Sequence, residues 1–304
     1  MKNKIVDVKN LIKRYDKKKI LALDNINLNI ERGSIFGLLG PNGAGKSSFI
    51  NILSGLSNKT SGKVVVCGID LDIDPKTIKG NIGVVPQEIN IDPFFTPLEI
   101  MNIQSGMYGV KKKKNINLEI LKNLDLHTKA NAYSRSLSGG MKRRLMVAKA
   151  LVHSPPLLIL DEPTAGVDVE LRTKLWNYIR YLNKSGVTII LTTHYLREAE
   201  ILCDQIAVIN KGKVIACDKK KNLLKLLDDK ELTIEFAEKI KSLPQKLEKL
   251  CINREPTKIV LKFRKSEIST AEIIKLFVDR KFKLKDISTK DSDLEDIFIK
   301  LLKE

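Results

Sequence analysis

Apolar positions along this chain fall into two rhythms, and their order predicts the architecture. Near-continuous apolar runs occur in "GSIFGLLG" (33–40), "PPLLIL" (155–160) and "GVTIILTT" (186–193). Runs of that length bounded by Gly or Pro suit strands buried on both faces of a parallel sheet. Amphipathic helical patterns follow the first run, within 46–56, and the second, from Val169 to Lys184. Between them, from about Pro93 to Ala150, the pattern is mostly helical. Ile116, Ile120, Leu121 and Leu124 there recur at helical spacing. Residues 1–35 and 62–75 are β-rich and predict an antiparallel subdomain. The segment 204–218 predicts a β-hairpin with Lys211-Gly212 in its turn. Together these elements give an α/β fold.

Beyond Leu226 the rhythm changes. "LTIEFA" (232–237), "KIVLKFR" (258–264) and "KLKDIS" (283–288) alternate as strands do. "TAEIIKLFVDRK" (270–281) and "DLEDIFIKLL" (293–302) read as helices. The chain therefore divides into residues 1–225 and a small C-terminal α+β appendix, 226–304. Packing against the core is the simplest role for the appendix, with regulation or dimer support as the alternatives.

Composition narrows the class without naming a function. A chain of 304 residues, 43% hydrophobic and 30% charged, accommodates a large globular domain plus a small one. No apolar run approaches the ~20 residues that span a bilayer. The start, "MKNKIVDVKN", carries no signal-peptide core. A soluble, cytosolic-type chain is expected. Cys67, Cys203, Cys217 and Cys251 are far apart and form no CxxC pair, which points to reduced thiols. The net charge of +18 invites a nucleic-acid or anionic-membrane reading. The lysines are scattered and lack interleaved aromatics, so no specific nucleic acid is expected. Lys111–Lys114 reads as a solvated loop.

The candidate chemistry begins at Gly40. Residues Gly40, Pro41, Asn42, Gly43, Ala44, Gly45, Lys46 and Ser47 spell G-x-x-x-x-G-K-S, followed by Ser48, between a strand and a helix. That context makes the motif a phosphate-binding P-loop. Gly40, Gly43 and Gly45 let backbone N–H groups curl around a β-phosphate without Cβ clashes. Lys46 brings a flexible point charge to the β- and γ-phosphates, and the Ser47 hydroxyl suits Mg²⁺.

The second apolar run ends in Asp161-Glu162, at the strand end where ligands bind in open α/β sheets. Asp161 is placed to hold Mg²⁺ through water, and Glu162 to orient or deprotonate an attacking water. The third run ends in Thr192-Thr193-His194. A histidine on that edge suits contact with the γ-phosphate and the attacking water, whereas His127 and His153 have no such placement. One motif is left over. "SRSLSGGMKRRL" (134–145) reads as a second helix start with bare N–H groups, suited to an anion.

In this order, the pieces resemble the ATP-binding subunit of an ABC transporter over about residues 4–225. Gly40–Ser47 matches its Walker A motif, and Leu157–Asp161 with Glu162 its Walker B motif and catalytic carboxylate. Leu137, Ser138, Gly139, Gly140 and Met141 match the signature. Gln87 falls at the Q-loop, Asp168 of Ala165–Asp168 at the D-loop, and His194 at the switch histidine. Tyr15 falls where the family stacks an aromatic on adenine.

The resemblance implies ATP and Mg²⁺ as cofactors, with Ser47, Gln87 and Asp161 around the metal. It also implies a head-to-tail homodimer in which each signature caps the partner's nucleotide. A separate integral-membrane permease is implied, placing the chain on the cytoplasmic face of the membrane. "GGMKRRL", "DEPTAGVD", "TTHYLREAE" and the "DSDLEDIFIKLL" tail resemble the ABC-2-type exporter subgroup. An importer ATPase, or a non-transport ABC ATPase acting on nucleic acid or the ribosome, is the alternative. The expected docking surface for the permease runs from Gln87 to Val110, with Ile91, Phe94, Phe95, Ile100 and Met101 as its apolar set; ordinary core of the helical insert is the alternative for those residues.

Overall fold

A computed structural model describes residues 3–15, 20–225, 229–240, 243–291 and 293–303. Backbone contacts divide the chain into Met1–Lys220 and Lys221–Glu304. The boundary expected at 225/226 adjoins residues 226–228, which lie outside the described residues.

In the first unit, β1 (Lys4–Tyr15) and β2 (Ile20–Glu31) form an antiparallel sheet with β4 (Ser61–Val66) and β5 (Ile69–Asp70), in the order β2-β1-β4-β5. Along β2 the buried residues Leu23, Ile26, Leu28 and Ile30 alternate with polar ones, apart from one extra residue between Leu23 and Ile26. Asn25 supplies that step in a left-handed conformation (φ 53°), which Asn tolerates better than most residues. The hydrophobic face is thereby kept inward on both sides of the irregularity.

The second sheet runs β10-β9-β3-β8-β7-β6. Strands β3 (Ile35–Leu39), β6 (Ile82–Val85), β7 (Leu157–Asp161), β8 (Thr188–Thr192) and β9 (Gln205–Asn210) are parallel to one another. β10 (Lys213–Lys219) closes one edge as the antiparallel arm of the expected hairpin. Lys211 and Gly212 both take positive φ there, as a two-residue hairpin turn requires. All of β3 and β8, and β7 up to Leu160, are buried, which is why their sequences read as unbroken apolar runs.

The helices of this unit are α1 (Lys46–Leu53), α2 (Pro75–Gly80), α3 (Pro97–Met107), α4 (Asn117–Asn123), α5 (Gly139–Leu151), α6 (Val169–Lys184) and α7 (Leu196–Leu202). α3 to α5 make the helical insert. Ile120, Leu121 and Leu124 are buried as their spacing predicts, but Ile116 is not. It precedes α4 and is 38% exposed, while Asn117 turns inward. Asn117 Nδ2 is held there by Asn102 Oδ1 at 2.9 Å and Ser105 Oγ at 3.0 Å, which offsets the burial of an amide. Lys111–Lys114 is exposed and contains one 3-10 turn. His153 stacks on Tyr108 with ring centroids 3.8 Å apart.

The second unit begins within α8 (Lys220–Leu224). It runs β11 (Asp229–Phe236), α9 (Gln245–Glu248), β12 (Cys251–Glu255), β13 (Lys258–Arg264), α10 (Thr270–Val278), β14 (Leu284–Asp291) and α11 (Leu294–Lys303). The sheet is antiparallel in the order β12-β13-β11-β14. A β-α-β-β-α-β succession in that strand order is the split βαβ, or ferredoxin-like, topology. Its core gathers Leu232, Ile234, Ile259, Leu261 and Ile273 around Phe236, Phe277 and Phe282. Those three rings meet edge to face at 5.3–5.6 Å. Ser269 and Glu272 close a reciprocal cap on α10. β12 and α9 have no counterpart in the predicted elements. β12 is an edge strand with no buried residue, and α9 is a single turn.

Candidate functional site

The glycine-rich loop joins β3, in the middle of the parallel sheet, to α1. Gly43 and Gly45 take φ of +79° and +113°, backbone that L side chains rarely adopt. Gly45 is the N-cap of α1 and provides no side-chain cap, so the first-turn N–H groups are left for a ligand. Lys46 opens the helix and is 8% exposed. Its Nζ donates to Gly40 O at 2.6 Å and Pro41 O at 3.1 Å. Burial lowers its pKa, opposed by the nearby carboxylates Glu162 and Asp161. Ala44 is buried behind the loop, and its carbonyl accepts from Gly212 N–H, which ties the loop to the β9–β10 turn.

Gly40 is required for a different reason. A Cβ there would lie 2.3 Å from Ile209 O and 3.1 Å from Ala44 Cβ. Gly40→Ala is therefore expected to cost about 1–3 kcal/mol, the usual range for overpacking. A denaturant midpoint equal to the parent's would show that the loop moves aside freely.

A cavity of about 290 Å³ opens over the loop. Asn42, Gly43, Gly45, Lys46, Ser47 and Ser48 line it together with Gln87, Asp161 and Glu162. Ile20, Leu21, Ala22 and Lys211 also line it, and sequence reasoning had not selected them. Tyr15 does not line the cavity. It is half-exposed beside it, with its hydroxyl 3.3 Å from Ser48 Oγ and Lys13 Nζ 4.5 Å above its ring.

Two other segments of the chain converge on one carboxylate oxygen of Glu162. Glu162 Oε2 accepts from Gln87 Nε2 at 3.1 Å and lies 3.1 Å from His194 Nδ1. Glu162 holds this position with φ 49°, an unusual conformation for a non-glycine residue. Its N–H donates to both the carbonyl and the hydroxyl of Thr192, each at 3.1 Å, so β8 fixes the first residue beyond β7. The Thr192 hydroxyl in turn donates to Asp161 Oδ1. Burial raises the Asp161 pKa, and the Thr192 hydrogen bond acts against that rise.

Thr192 and Arg143 are positioning groups that the sequence did not reveal. Arg143 Nη1, on α5, donates to Pro86 O at 3.1 Å and Gln87 O at 2.6 Å. It thereby anchors the backbone that carries the Gln87 side chain.

The signature residues lie elsewhere. Leu137 is buried as an anchor, Ser138 and Gly139 are exposed, and none of 137–141 lines the cavity. Ser138 is the N-cap of α5, its Oγ accepting from Met141 N–H at 3.2 Å. That bond uses one of the N–H groups expected to be bare and leaves the first-turn groups of Gly139 and Gly140. Asp168 is exposed and caps α6 through Leu171 N–H at 2.9 Å. The apolar set expected beside Gln87 needs correction. Ile100 and Met101 are core residues on the inner side of α3, Ile91 is partly covered, and Phe94 (71%) and Phe95 (40%) are the exposed pair.

The donors around Asp161 fit a hard cation. Ser47 offers a hydroxyl and Asp161 its second carboxylate oxygen. Gln87, its Nε2 engaged with Glu162, offers its amide oxygen. Among the described residues no group of three or more His, Cys, Asp or Glu forms a protein-only metal cage. So sparse a set suits Mg²⁺, which keeps several waters.

A glycine cradle between a central parallel strand and a helix, faced by an acid-tipped neighbouring strand, defines a P-loop nucleotide-binding core. The sequence profile of the ABC transporter family matches residues 23–165. The linearmycin resistance ATP-binding protein LnrL of Bacillus subtilis is 40% identical over 221 residues, 72% of this chain and 70% of that protein. The Nod factor export ATP-binding protein I of Ralstonia nicotianae is 40% identical over 225 residues, 72% of this chain and 68% of that one. A solved dimeric post-hydrolysis state of the ATP-binding cassette MJ0796, bound to ADP and Pi, superposes with a TM-score of 0.64. It is 33% identical and covers 70% of this chain and 98% of that one. The chain belongs to the ABC transporter family, as an ATP-binding subunit with an ABC ATPase core.

Proposed function

We propose that this chain is the ATP-hydrolysing subunit of an ABC-2-type exporter and works as a homodimer on a separate permease. The 40% identity to proteins named for linearmycin resistance and Nod factor export supports the export direction. One observation carries the dimer. The chain holds a P-loop cavity, and its signature helix start is exposed and lines no part of that cavity. A second, identical copy facing the first supplies the missing wall, in a closed two-fold arrangement.

In that arrangement the P-loop amides and Lys46 hold the β- and γ-phosphates. Tyr15 stacks on the adenine, and Ser138 with the Gly139 and Gly140 N–H groups caps the partner's γ-phosphate. Glu162 orients or deprotonates the attacking water, His194 touches the γ-phosphate, and Asp168 lies at the dimer contact. Ser47, Gln87 and Asp161 would hold Mg²⁺, which would supply charge neutralisation at the β- and γ-phosphates.

No helix among the described residues is long and apolar enough to cross a membrane. In this reading the separate permease supplies the pore. The docking surface is the exposed Phe94 and Phe95, with Ile89, Ile103 and Met107 exposed on the same stretch of chain. Attachment to the permease places the subunit on the cytoplasmic face of the membrane. Co-purification of this chain with a multi-span membrane protein tests the assignment.

Ser138→Arg tests the trans arrangement. It is expected to leave ATP binding by the monomer intact and to abolish the ATP-dependent dimer in size-exclusion chromatography. A dimer that still forms would refute trans capping.

A further inference from the structure

Two carboxylates are buried among the described residues, Glu162 at 8% exposure and Glu198 at 0%. The first belongs to the nucleotide site; the second touches no part of that cavity. Glu198 Oε1 accepts from Thr164 Oγ1 at 3.0 Å and from Trp176 Nε1 at 2.7 Å. Its Oε2 is buried with no partner. Burying a carboxylate is costly, and an oxygen left without a donor makes this one costlier. Packing alone gives no reason for a carboxylate here, since an apolar residue of similar size would fill the space more cheaply.

The three segments that Glu198 joins supply a reason. Glu198 lies on α7, four residues after His194. Thr164 lies two residues after Glu162, in the turn that leads to Asp168. Trp176 is on α6, the helix that Asp168 caps. We infer that Glu198 is a positioning residue, coupling the His194 segment to the Glu162–Asp168 turn so that the two engage nucleotide together. It acts through His194 and Glu162, and the inference therefore rests on the roles proposed for them. Trp176 is the only tryptophan in the chain, so indole fluorescence reports on this junction without labelling.

The experiment compares full-length Glu198→Leu and Glu198→Gln. Glutamine keeps an acceptor for Thr164 and Trp176, while leucine keeps only bulk. Glu198→Leu is expected to lower kcat about ten- to a hundredfold, the rate equivalent of one charge-assisted hydrogen bond, with KM for ATP almost unchanged. Glu198→Gln is expected to stay within about threefold of the parent. In a Glu162→Gln background, Mg-ATP should change the Trp176 emission. Adding Glu198→Leu should remove that change while ATP still binds, as measured by equilibrium dialysis.

Parent-like kcat in Glu198→Leu overturns the inference. So does a glutamine variant that fails to rescue, or a fluorescence change that persists in the double variant. Where Glu198→Leu does not fold, Thr164→Val and Trp176→Phe each remove one donor, and each should lower kcat without moving KM. Parent-like kcat in both overturns the coupling. If Glu162→Gln itself turns over at the parent rate, the underlying site assignment falls and the inference with it. If Glu162→Gln is slow and Glu198→Leu is not, only the coupling falls.

Discussion

Glu162→Gln is expected to slow ATP turnover by about a hundred- to ten-thousandfold, the contribution of a positioned general base, and to leave ATP binding intact. The substitution is nearly isosteric, and the two hydrogen bonds that hold the residue in its left-handed conformation come from its backbone N–H to Thr192. The scaffold at this position therefore does not depend on the side chain. The amide oxygen still accepts from Gln87 or His194, whose donors lie within 3.1 Å of the present carboxylate oxygen. What disappears is the basicity that activates water and one negative charge beside the triphosphate. Losing that charge favours bound ATP, so an ATP-dependent dimer should accumulate in gel filtration where the parent shows mostly monomer. Steady-state phosphate release at the parent rate would remove Glu162 from its role as catalytic carboxylate.

How much of this site could be read from sequence depended on how far apart its parts lie along the chain. The P-loop was legible because eight consecutive residues carry its chemistry and the flanking strand and helix show in their periodicity. Asp161, Glu162 and His194 were legible because buried parallel strands announce themselves as apolar runs, and their C-terminal ends share one edge. The groups that hold those residues were not legible. Thr192 looked like the polar end of a strand, yet it bonds both Asp161 and Glu162. Arg143 looked like one charge in a basic helix, yet it grips the backbone at Gln87. Such contacts join distant segments, and no local pattern encodes their partners.

Glu198 did leave a signal. It lies four residues before buried Leu202 and next to buried Ala199, which places an acid on the inward face of α7. Ile116 falls just before α4, where the helical phase expected from spacing does not hold and Asn117 turns inward instead. β12, which buries nothing, had no hydrophobic rhythm to find. The exposed signature was the opposite case. The sequence identified the motif, and the structure shows that the chain does not bring it to its own P-loop cavity.

Lys46→Ala is expected to weaken nucleotide binding by roughly two to three orders of magnitude. Truncating one partner of a buried charge pair costs about 2–5 kcal/mol, and each 1.4 kcal/mol is about tenfold in affinity. Lys46 supplies a buried positive charge facing the two carboxylates that repel a triphosphate, Asp161 and Glu162. In its present contacts the ammonium bonds the Gly40 and Pro41 carbonyls, so it lies folded onto the loop at the place where phosphate oxygens would replace those carbonyls. Alanine is a strong helix former and suits the first turn of α1, so the loss should appear in nucleotide affinity and not in unfolding. Lys46→Arg separates charge from shape. It keeps the charge, but its planar fork does not fit the space of a compact ammonium lying 2.6 Å from a backbone carbonyl. Isothermal titration with ATP should therefore rank parent above Lys46→Arg and Lys46→Arg above Lys46→Ala, all three melting within a few degrees of one another. Parent-like affinity in Lys46→Ala would show that the triphosphate is held by the loop amides alone.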